Sequence, residues 1–411
     1  MLRFINYSII KKMLAIVFIF DILLFGGADI ELFKSDNFGG RVSIRMVLTV
    51  IIFLYFVISC VLNRYKFKSN KIAVTSFVLF CYCIFSFSYG VILNNDLSMA
   101  IADFRPELSL ILFFPILSIF DSKSVKLKNI YGLLLVCSVI ISLFSIIFYL
   151  SNITGIIFGP ITMLEMQKYI VDMGERASGG IVFSGDIVVL IALLFITFKS
   201  LFSHVTFKEK IMAAIFSIVI LQTAQRGLVL TYAIFIVAFI MGFKLKKQSI
   251  KGIVLLFSIA IFAFIALNSY DFSRVFDYSD GGIGKRLDFL ESTIEAFAIN
   301  PLLGTGYGVQ TIVYGNFEVL RLEISYIEIL LKQGLIGLLL WCYICWLTIE
   351  RCCFIYKRTN NEYAILAVIF SGVVIIMSFT NPYLNNGYGI SLMLLSVGIC
   401  QLIEQEEVLS Q

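Results

Sequence analysis

The sequence is poor in histidine and in charge. Its 411 residues include one histidine, His204, and only 14% are Asp, Glu, Lys or Arg, against about a quarter in soluble globular proteins. A single histidine argues against catalysis or metal binding through imidazole, and we expect His204 to be an ordinary loop residue. Since 60% of the residues are hydrophobic, a soluble fold could not hide them all. The composition therefore predicts an all-α polytopic membrane protein whose surplus apolar surface faces lipid.

Other absences narrow the class further. We find no internal repeat, no separate soluble domain and no small-residue cleavage pattern after the apolar run 8–27, which we expect to be the first spanning helix. The basic residues form short loop clusters, which argues against a nucleic-acid partner. Most of the nine cysteines lie inside apolar runs. Cys342 and Cys345 have CxxC spacing without a second pair of ligands, so we predict packing residues, no metal and no cofactor.

Apolar runs of spanning length recur along the whole chain. A spanning helix needs about 20 mostly apolar residues, and on that basis the sequence predicts about twelve spans in a single integral membrane domain over 1–411. The fourth is interrupted by Arg105-Pro106-Glu107. The predicted spans are 9–27, 44–62, 72–93, 100–120, 130–150, 180–198, 211–225, 227–243, 251–268, 326–348, 363–381 and 387–403.

The charges in the loops alternate between the two sides. Clusters of lysine and arginine lie at 11–12, 64–71, 123–128, 199–210, 244–251 and 351–358. Because basic loops stay on the cytoplasmic side, this alternation predicts that both termini are cytoplasmic. Two long loops, 151–179 and 269–325, then lie outside, and loops of such length are usually functional or disordered. In the second, 286–298 has helical spacing and is ended by Asn300-Pro301.

Ionisable residues inside spans or at their outer ends are candidates for function, because burying them without a partner is costly. The candidates are Asp21, Arg105, Glu107, Arg176, Asp186, Arg226, Arg286 and Glu323. Arg226, at the tight turn between two spans, is either an interfacial arginine that snorkels to water or an anion clamp, since a guanidinium matches phosphate oxygens. Arg105 and Glu107 form either a structural ion pair or a substrate contact.

The remaining candidates also leave two interpretations open. Arg176 and Arg286 are either substrate contacts or ordinary loop charges. Asp21 is either a proton relay or the partner of a polar residue on a neighbouring helix. The stretch Gly304-Thr-Gly306-Tyr-Gly308 is not a dinucleotide fingerprint, because no soluble strand precedes it. We expect its glycines to permit a tight turn that re-enters the membrane face.

Several of these residues stand in a familiar order. The series Arg286, Asn300-Pro-Leu-Leu-Gly304-Thr-Gly-Tyr-Gly308, Glu323-Ile-Ser-Tyr326 and Gly334-Leu-Ile-Gly337 resembles the O-antigen ligase and polymerase superfamily, including the Wzy-type polysaccharide polymerases. About twelve helices with a large outer loop before the last three are also similar to that superfamily. In ligases of the superfamily a histidine is usually followed by one polar residue, then by nine further residues and the Gly-x-x-Gly pair. Counting back from Gly334, Glu323 occupies the position of that histidine, which favours a polymerase.

The resemblance implies a reaction on the outer face of a bacterial cytoplasmic membrane. Polyprenyl-diphosphate-linked oligosaccharide repeats would be joined without metal or cofactor, the diphosphate carrier being the leaving group. The aromatic-rich helices would hold the prenyl chains, and membrane lipids, a chain-length regulator and a flippase are expected partners. A transferase of the ligase type and a polysaccharide flippase or transporter are the alternatives. A transporter would usually show two related halves.

Roles for the site residues follow from the same resemblance. Arg226 and Arg286 would stabilise the departing diphosphate, and Arg105 and Arg176 would bind the substrate with Gly304, Gly306 and Tyr326. Glu323 would take the proton of the acceptor hydroxyl, since desolvation at a dry membrane mouth raises the basicity of a carboxylate. The alternative for Glu323 is an interfacial ion pair with Arg321.

Overall fold

The fold is built from apolar helices. The computed structural model describes residues 7–25, 31–35, 40–62, 70–121, 125–154, 185–223, 225–242, 293–294, 297–309, 313–314, 317–318 and 324–410. Beside the helices, two antiparallel hairpins pair β1 (Glu31–Ser35) with β2 (Gly40–Ser43) and β3 (Val313–Tyr314) with β4 (Phe317–Glu318). The sequence did not predict these hairpins.

The helices follow the predicted spans closely. In chain order they are α1 (Tyr7–Phe20), α2 (Ile44–Val61), α3 (Lys71–Ile92), α4 (Leu97–Phe104), α5 (Phe113–Ile119), α6 (Leu127–Thr154), α7 (Asp186–Phe202), α8 (Phe207–Gln222), α9 (Arg226–Gly242), α10 (Ser325–Thr359), α11 (Glu362–Met377) and α12 (Gly387–Ser410). A single π-helical turn, Asp21–Phe25, continues α1. The predicted span 251–268 lies outside the described residues.

The predicted helical membrane class is confirmed. Five of the described helices are long and apolar enough to cross a bilayer: α2, α3, α6, α10 and α12. Large apolar side chains stand exposed on them, such as Val50, Leu54 and Ile58 of α2, each more than half exposed. Such side chains are suited to contact with lipid tails. The count of twelve spans and their orientation stay predictions.

The fourth span is interrupted where the sequence predicts. Between α4 and α5 lies a 3-10 helix, Arg105–Leu112. Pro106, at its start, has no N–H and cannot donate the backbone hydrogen bond that would continue α4. The interruption turns Glu107 and Ser109 into the protein interior, where both are buried.

The chain divides into two compact units. One comprises the described parts of Met1–Ile22, Asp29–Ile130 and Asp277–Gln411, and in it α10, α11 and α12 pack on one another while α3 packs on α10. The other comprises the described parts of Leu23–Ala28 and Tyr131–Phe276, and in it α7 packs against both α8 and α9. The candidate site described below lies within the first unit.

Helix α10 is broken in its first third. Gly334 has φ 65° and ψ −168°, a backbone conformation that is not helical and is essentially restricted to glycine. A break leaves backbone groups without helical partners, and inside a membrane no bulk water can satisfy them. Following the predicted orientation, we call Ser325–Gln333 the outer part of α10 and the part that begins at Leu335 the inner part.

A second segment fills this break. We call residues 300–308 the glycine-rich loop. Its carbonyls at Pro301 and Leu302 accept the N–H groups of Leu335 (2.9 Å) and Ile336 (3.3 Å). In the other direction, the N–H groups of the loop reach the outer carbonyls of α10: Thr305 donates to Leu331 (2.8 Å) and Gly306 to Lys332 (3.0 Å). The predicted tight turn is confirmed, and it serves to complete the hydrogen bonding of a broken helix.

The loop follows the predicted helix 286–298. Of that helix only 293–294 and 297–298 are described, and they are helical. Asn300 ends the helical stretch as predicted, with its N–H donating to Phe297 at 3.2 Å. Helix α6 extends to Thr154 and thus includes the first four residues of the predicted outer loop 151–179. The rest of that loop and most of 269–325 lie outside the described residues.

The second unit carries a charged cap between α7 and α8. Glu209 forms a capping box with Thr206, and its Oε1 lies 2.7 Å from Lys199 Nζ and accepts the Tyr131 hydroxyl at 2.6 Å. Burial raises the pKa of Glu209, but the hydrogen bonds from Lys199, Tyr131 and Thr206 outweigh it and lower the pKa from 4.5 to about 2. His204, in the same connection, is exposed as expected.

Gly334→Ala should destabilise the protein. A Cβ at this position would lie 2.3 Å from the Leu302 carbonyl oxygen, and the backbone conformation alone costs a non-glycine residue about 1–3 kcal/mol. Thermal unfolding in detergent measures the loss. The matched control is Gly132→Ala in α6, whose Cβ would meet nothing within 4 Å and which should be stabilised by about 0.5–1 kcal/mol. Equal melting temperatures for the two variants would contradict the role of the break.

Glu209→Gln should lower the free energy of unfolding by about 1–3 kcal/mol at neutral pH, because it removes a buried charged partner. The pKa of Glu209 is lower in the folded state, so its contribution is complete above pH 4.5 and is lost as the pH falls towards 2. The difference in melting temperature between wild type and variant should therefore shrink below pH 4.5. Lys208→Gln, at an exposed neighbour, is the control. A difference that stays constant down to pH 3 would contradict the ion pair.

Candidate functional site

Lys332 is buried in the outer part of α10 between two carboxylates. Its Nζ lies 2.8 Å from Asp103 Oδ1 and 2.6 Å from Glu328 Oε1, and all three side chains are at most 8% exposed. Glu328 is one turn away on the same helix, whereas Asp103 belongs to α4. Buried charges persist only when they are paired in this way. The positive charge of Lys332 is therefore used within the protein.

A chain of hydrogen bonds continues from the neighbouring residue, Gln333. Its Nε2 donates to Glu107 Oε1 at 3.0 Å and to the Tyr307 hydroxyl at 2.6 Å, while its Oε1 accepts the indole N–H of Trp341 at 3.2 Å. The Tyr307 hydroxyl is in turn hydrogen bonded to Glu107 Oε2. Every polar atom of the Gln333 side chain thus has a partner, and Glu107 is held by two donors.

We call these residues the buried polar cluster. It consists of Asp103, Glu107, Tyr307, Glu328, Lys332 and Gln333. They come from three segments that are distant in sequence: the interrupted fourth span, the glycine-rich loop and the outer part of α10. One atom of the cluster, Glu328 Oε2, is buried without a hydrogen-bond partner. The cluster therefore has one free acceptor inside an otherwise satisfied network.

The glycine-rich loop holds Tyr307 in the cluster by close backbone contacts. Gly304, Gly306 and Gly308 all have positive φ, between 73° and 76°. At Gly306 a Cβ would lie 2.4 Å from the Cα of Gly90 in α3, so only glycine permits this approach. The loop thereby passes close enough to α3 for the Tyr307 N–H to donate to the Ser86 carbonyl at 3.3 Å.

The turn before α4 also forms hydrogen bonds with the glycine-rich loop. The Asn95 amide donates to the carbonyls of Thr305 and Tyr307, both at 2.9 Å, and the Asp96 N–H donates to Gly308 at 3.2 Å. Asp96 also caps α4 through Met99. Hydrogen bonds from the Ser98 hydroxyl and the Met99 N–H lower the pKa of Asp96, which stays ionised as a cap requires.

The structure brings together only some of the residues predicted from the sequence. Gly304 and Gly306 line the cluster through the loop. Tyr326, in the first turn of α10, instead donates to the Ile375 carbonyl at 2.9 Å and packs on Phe379, just after the end of α11. Arg105 begins the 3-10 helix and is half-buried. Whether any of these residues contacts substrate stays a prediction.

The other predicted site residues cannot be placed in the cluster. Arg176, Arg286 and Glu323 lie outside the described residues. Arg226 is the first residue of α9, but its side chain is outside the described part of the chain. Their predicted roles are taken up again as a proposal below.

Two ambiguous candidates acquire partners. The open choice for Glu107 was an ion pair with Arg105 or a substrate contact, and the cluster adds a third arrangement, with Tyr307 and Gln333. Asp21 accepts a hydrogen bond from Arg45 Nε at 3.0 Å, and both are buried. This pairing favours the interpretation of Asp21 as the partner of a polar residue on a neighbouring helix.

Sequence reasoning missed the centre of the cluster. Glu328 and Lys332 lie inside the predicted span 326–348, four residues apart, so the rule for ionisable residues in spans applied to them and would have identified both. Asp103, at the predicted fourth span, carried the same signal. Tyr307 carried no signal of its own, because a tyrosine between glycines is ordinary in a loop.

The cluster suits proton and hydrogen-bond chemistry. Three carboxylates, a lysine and a phenol lie in a medium of low dielectric constant, where hydrogen bonds are strengthened and unpaired groups are costly. Among the described residues, no group of three or more His, Cys, Asp and Glu side chains is arranged to hold a metal ion.

Apolar spanning helices around a buried polar cluster define an integral membrane protein whose polar site is built inside the helix bundle. Residues 211–342 match the family model described as O-Antigen ligase. The match covers about a third of the chain, and it confirms the resemblance to the O-antigen ligase and polymerase superfamily. It includes the glycine-rich loop and the break in α10. No curated protein matches the chain.

The match has a functional meaning at the level of the family. Its members are membrane enzymes that transfer glycans, and they act on lipid-linked oligosaccharides. Residues 211–342 are thus similar to this family, and the role of the chain is taken up below as a proposal.

Tyr307→Phe should destabilise the folded protein by about 1–3 kcal/mol, because Glu107 Oε2 and one N–H of Gln333 would be left buried and unpaired. Chemical or thermal unfolding of the detergent-solubilised protein gives the value. Tyr343→Phe, at a half-exposed tyrosine of α10, removes the same atom without opening a buried network and should be nearly neutral. The role of Tyr307 in the cluster would be refuted by equal stability of the two variants.

Proposed function

We propose that the protein polymerises polyprenyl-diphosphate-linked oligosaccharide repeat units on the outer face of the bacterial cytoplasmic membrane. The observation that carries the proposal is the match of residues 211–342 to the O-antigen ligase family, combined with Glu323 at the position where ligases carry histidine. A chain-length regulator and a flippase are the expected partners, and no cofactor is required.

The proposed reaction is a glycosyl transfer between two lipid-linked glycans. A hydroxyl of the acceptor glycan attacks the anomeric carbon of the donor, and a new glycosidic bond forms. The bond from that carbon to the carrier diphosphate breaks, and the diphosphate leaves with the bonding electrons. The hydroxyl proton passes to a base. No nucleotide is consumed, since the diphosphate is itself the leaving group.

Two tasks fall to the side chains. Charge moves onto the diphosphate as it departs, and arginines suit its stabilisation because preorganised donors are often worth several kcal/mol in the transition state. Arg226 and Arg286 are our candidates for this task, with Arg105 and Arg176 as further substrate contacts. Glu323 is our candidate for the base. It stands two residues before α10, whose outer part carries the buried polar cluster.

A ligase is the second candidate, and the description of the matching family favours it. A ligase would transfer the finished glycan to a different acceptor, such as lipid A core, whereas a polymerase uses another lipid-linked repeat. The absence of histidine from the position of Glu323 weighs against the ligase. A flippase or transporter would move the lipid-linked glycan without changing it, and the three activities therefore differ in their products.

Deleting the gene should leave single lipid-linked repeats and no polymer, as resolved by gel electrophoresis of the extracted glycans. Complementation with Arg226→Ala or Glu323→Ala should restore no more than about a hundredth of the polymer, because removing one electrostatic stabiliser or base typically costs 10²-fold or more. Membrane levels of each variant are measured in parallel by immunoblot. Arg358→Ala and Glu350→Ala, at the opposite end of α10, are matched controls that should restore polymer fully.

Each other outcome has a defined meaning. Polymer of full length in both variants would remove Arg226 and Glu323 from the mechanism. Polymer that persists on its lipid carrier after gene deletion, but fails to reach the final acceptor, would identify a ligase instead. Accumulation of lipid-linked repeats on the inner face would identify a flippase.

A further inference from the structure

Lys332 joins the cluster through its backbone as well as through its side chain. Its carbonyl, left free by the break at Gly334, accepts the Gly306 N–H at 3.0 Å and the Ser86 hydroxyl at 3.0 Å. Its Nζ meanwhile bonds to Asp103 and Glu328. One residue thus contacts the glycine-rich loop, α3 and α4 at once.

Asp103 links the side chain of Lys332 to the glycine-rich loop. Its Oδ1 accepts from Lys332 at 2.8 Å, and its Oδ2 accepts the backbone N–H of Gly308 at 3.1 Å. The loop is therefore held at Gly306 by the backbone of Lys332 and at Gly308 by the ion-pair partner of Lys332. Tyr307, between these two points, is directed into the cluster.

The charge of Lys332 is not available to a substrate. Two carboxylate oxygens lie within 2.8 Å of its Nζ, and an incoming diphosphate would have to displace both of these buried carboxylates. Removing the lysine would leave two buried carboxylates uncompensated, which is strongly destabilising for a buried network. The arrangement is thus suited to holding the protein and unsuited to binding an anion.

The segment held in this way adjoins the proposed catalytic residue. The outer part of α10 runs from Ser325 to Gln333, and Glu323 precedes it by two residues. Ser325 is itself fixed, since its N–H donates to Ser378 at 3.2 Å and its Oγ accepts the Leu384 N–H at 3.2 Å. The outer part of α10 is therefore anchored at its start by Ser325 and at its end by Lys332.

We propose that Lys332 is a positioning residue: through Asp103 and the glycine-rich loop it holds the outer part of α10, the helical segment that follows Glu323 in the sequence, in the one arrangement that the proposed reaction requires. The catalytic half of this inference rests on the proposed function. The anchoring half concerns the loop alone and can be measured without any activity.

Hydrogen exchange and kinetics test the two halves on the full-length protein in lipid nanodiscs. Lys332→Met removes the charge and keeps a long side chain, and the amides of Gly306 and Gly308 should then exchange about tenfold faster. With purified lipid-linked repeats as substrate, kcat should fall about 10²-fold, the loss typical of a misplacement by about 1 Å, and KM should change less than about threefold. Lys332→Arg, which can still pair with both carboxylates, should recover most of both values. Lys71→Met, at an exposed lysine of α3, is the control.

The results that overturn the proposal are distinct from those that overturn the function. Unchanged exchange at residues 300–308 in Lys332→Met would refute the anchoring. A raised KM with unchanged kcat would make Lys332 a substrate contact and refute positioning. Faster exchange together with a wild-type protein that forms no polymer would overturn the proposed function and uphold the anchoring. Should Lys332→Met fail to accumulate, Asp103→Asn provides a second test. This variant keeps an acceptor for the Gly308 N–H and leaves Glu328 to pair with Lys332. Faster exchange at residues 300–308 supports the proposal, and unchanged exchange overturns it.

Discussion

The hydrogen bonds that fill the break at Gly334 are the constraint on which the first unit depends. A helix interrupted inside a membrane must find partners for its freed N–H and C=O groups, because lipid supplies none. Here the partners come from the glycine-rich loop, which donates to Leu331 and Lys332 and accepts from Leu335 and Ile336. The two glycine motifs that are separate in sequence are therefore the two halves of one contact.

That contact also explains how a dense group of charged residues is tolerated. The glycine-rich loop provides hydrogen-bond donors to two carboxylates: the Tyr307 hydroxyl bonds to Glu107 and the Gly308 N–H to Asp103. Lys332 offsets part of the negative charge of Asp103 and Glu328. Each of these groups would be costly alone, and together they define one arrangement of three segments. The buried polar cluster is thus a consequence of the way in which the glycine-rich loop completes the hydrogen bonds at the break in α10.

Much of the fold could be predicted from hydrophobic periodicity, because length and apolarity suffice to define a span. The predicted span 72–93 corresponds to Lys71–Ile92, and the interruption at Arg105-Pro106-Glu107 is observed as a 3-10 helix. The centre of the candidate site could not be assembled in the same way. Lys332 and Asp103 are 229 residues apart, and Tyr307 and Glu107 are 200 apart. Local patterns identify which residues are costly to bury, but only the tertiary structure determines which of them compensate each other.

The anchoring of Ser325 and Gly308 has a consequence for how such chains can diverge. Both ends of the intervening segment 309–324 are fixed to helices, and the entropy of closing a loop between fixed ends grows only slowly with its length. Insertions between 309 and 322 should therefore cost little stability. The glycine-rich loop has no comparable freedom, since one added residue would move Gly306 out of register with Lys332. A chimera that exchanges only 309–322 should accordingly keep the hydrogen bonds between the glycine-rich loop and α10.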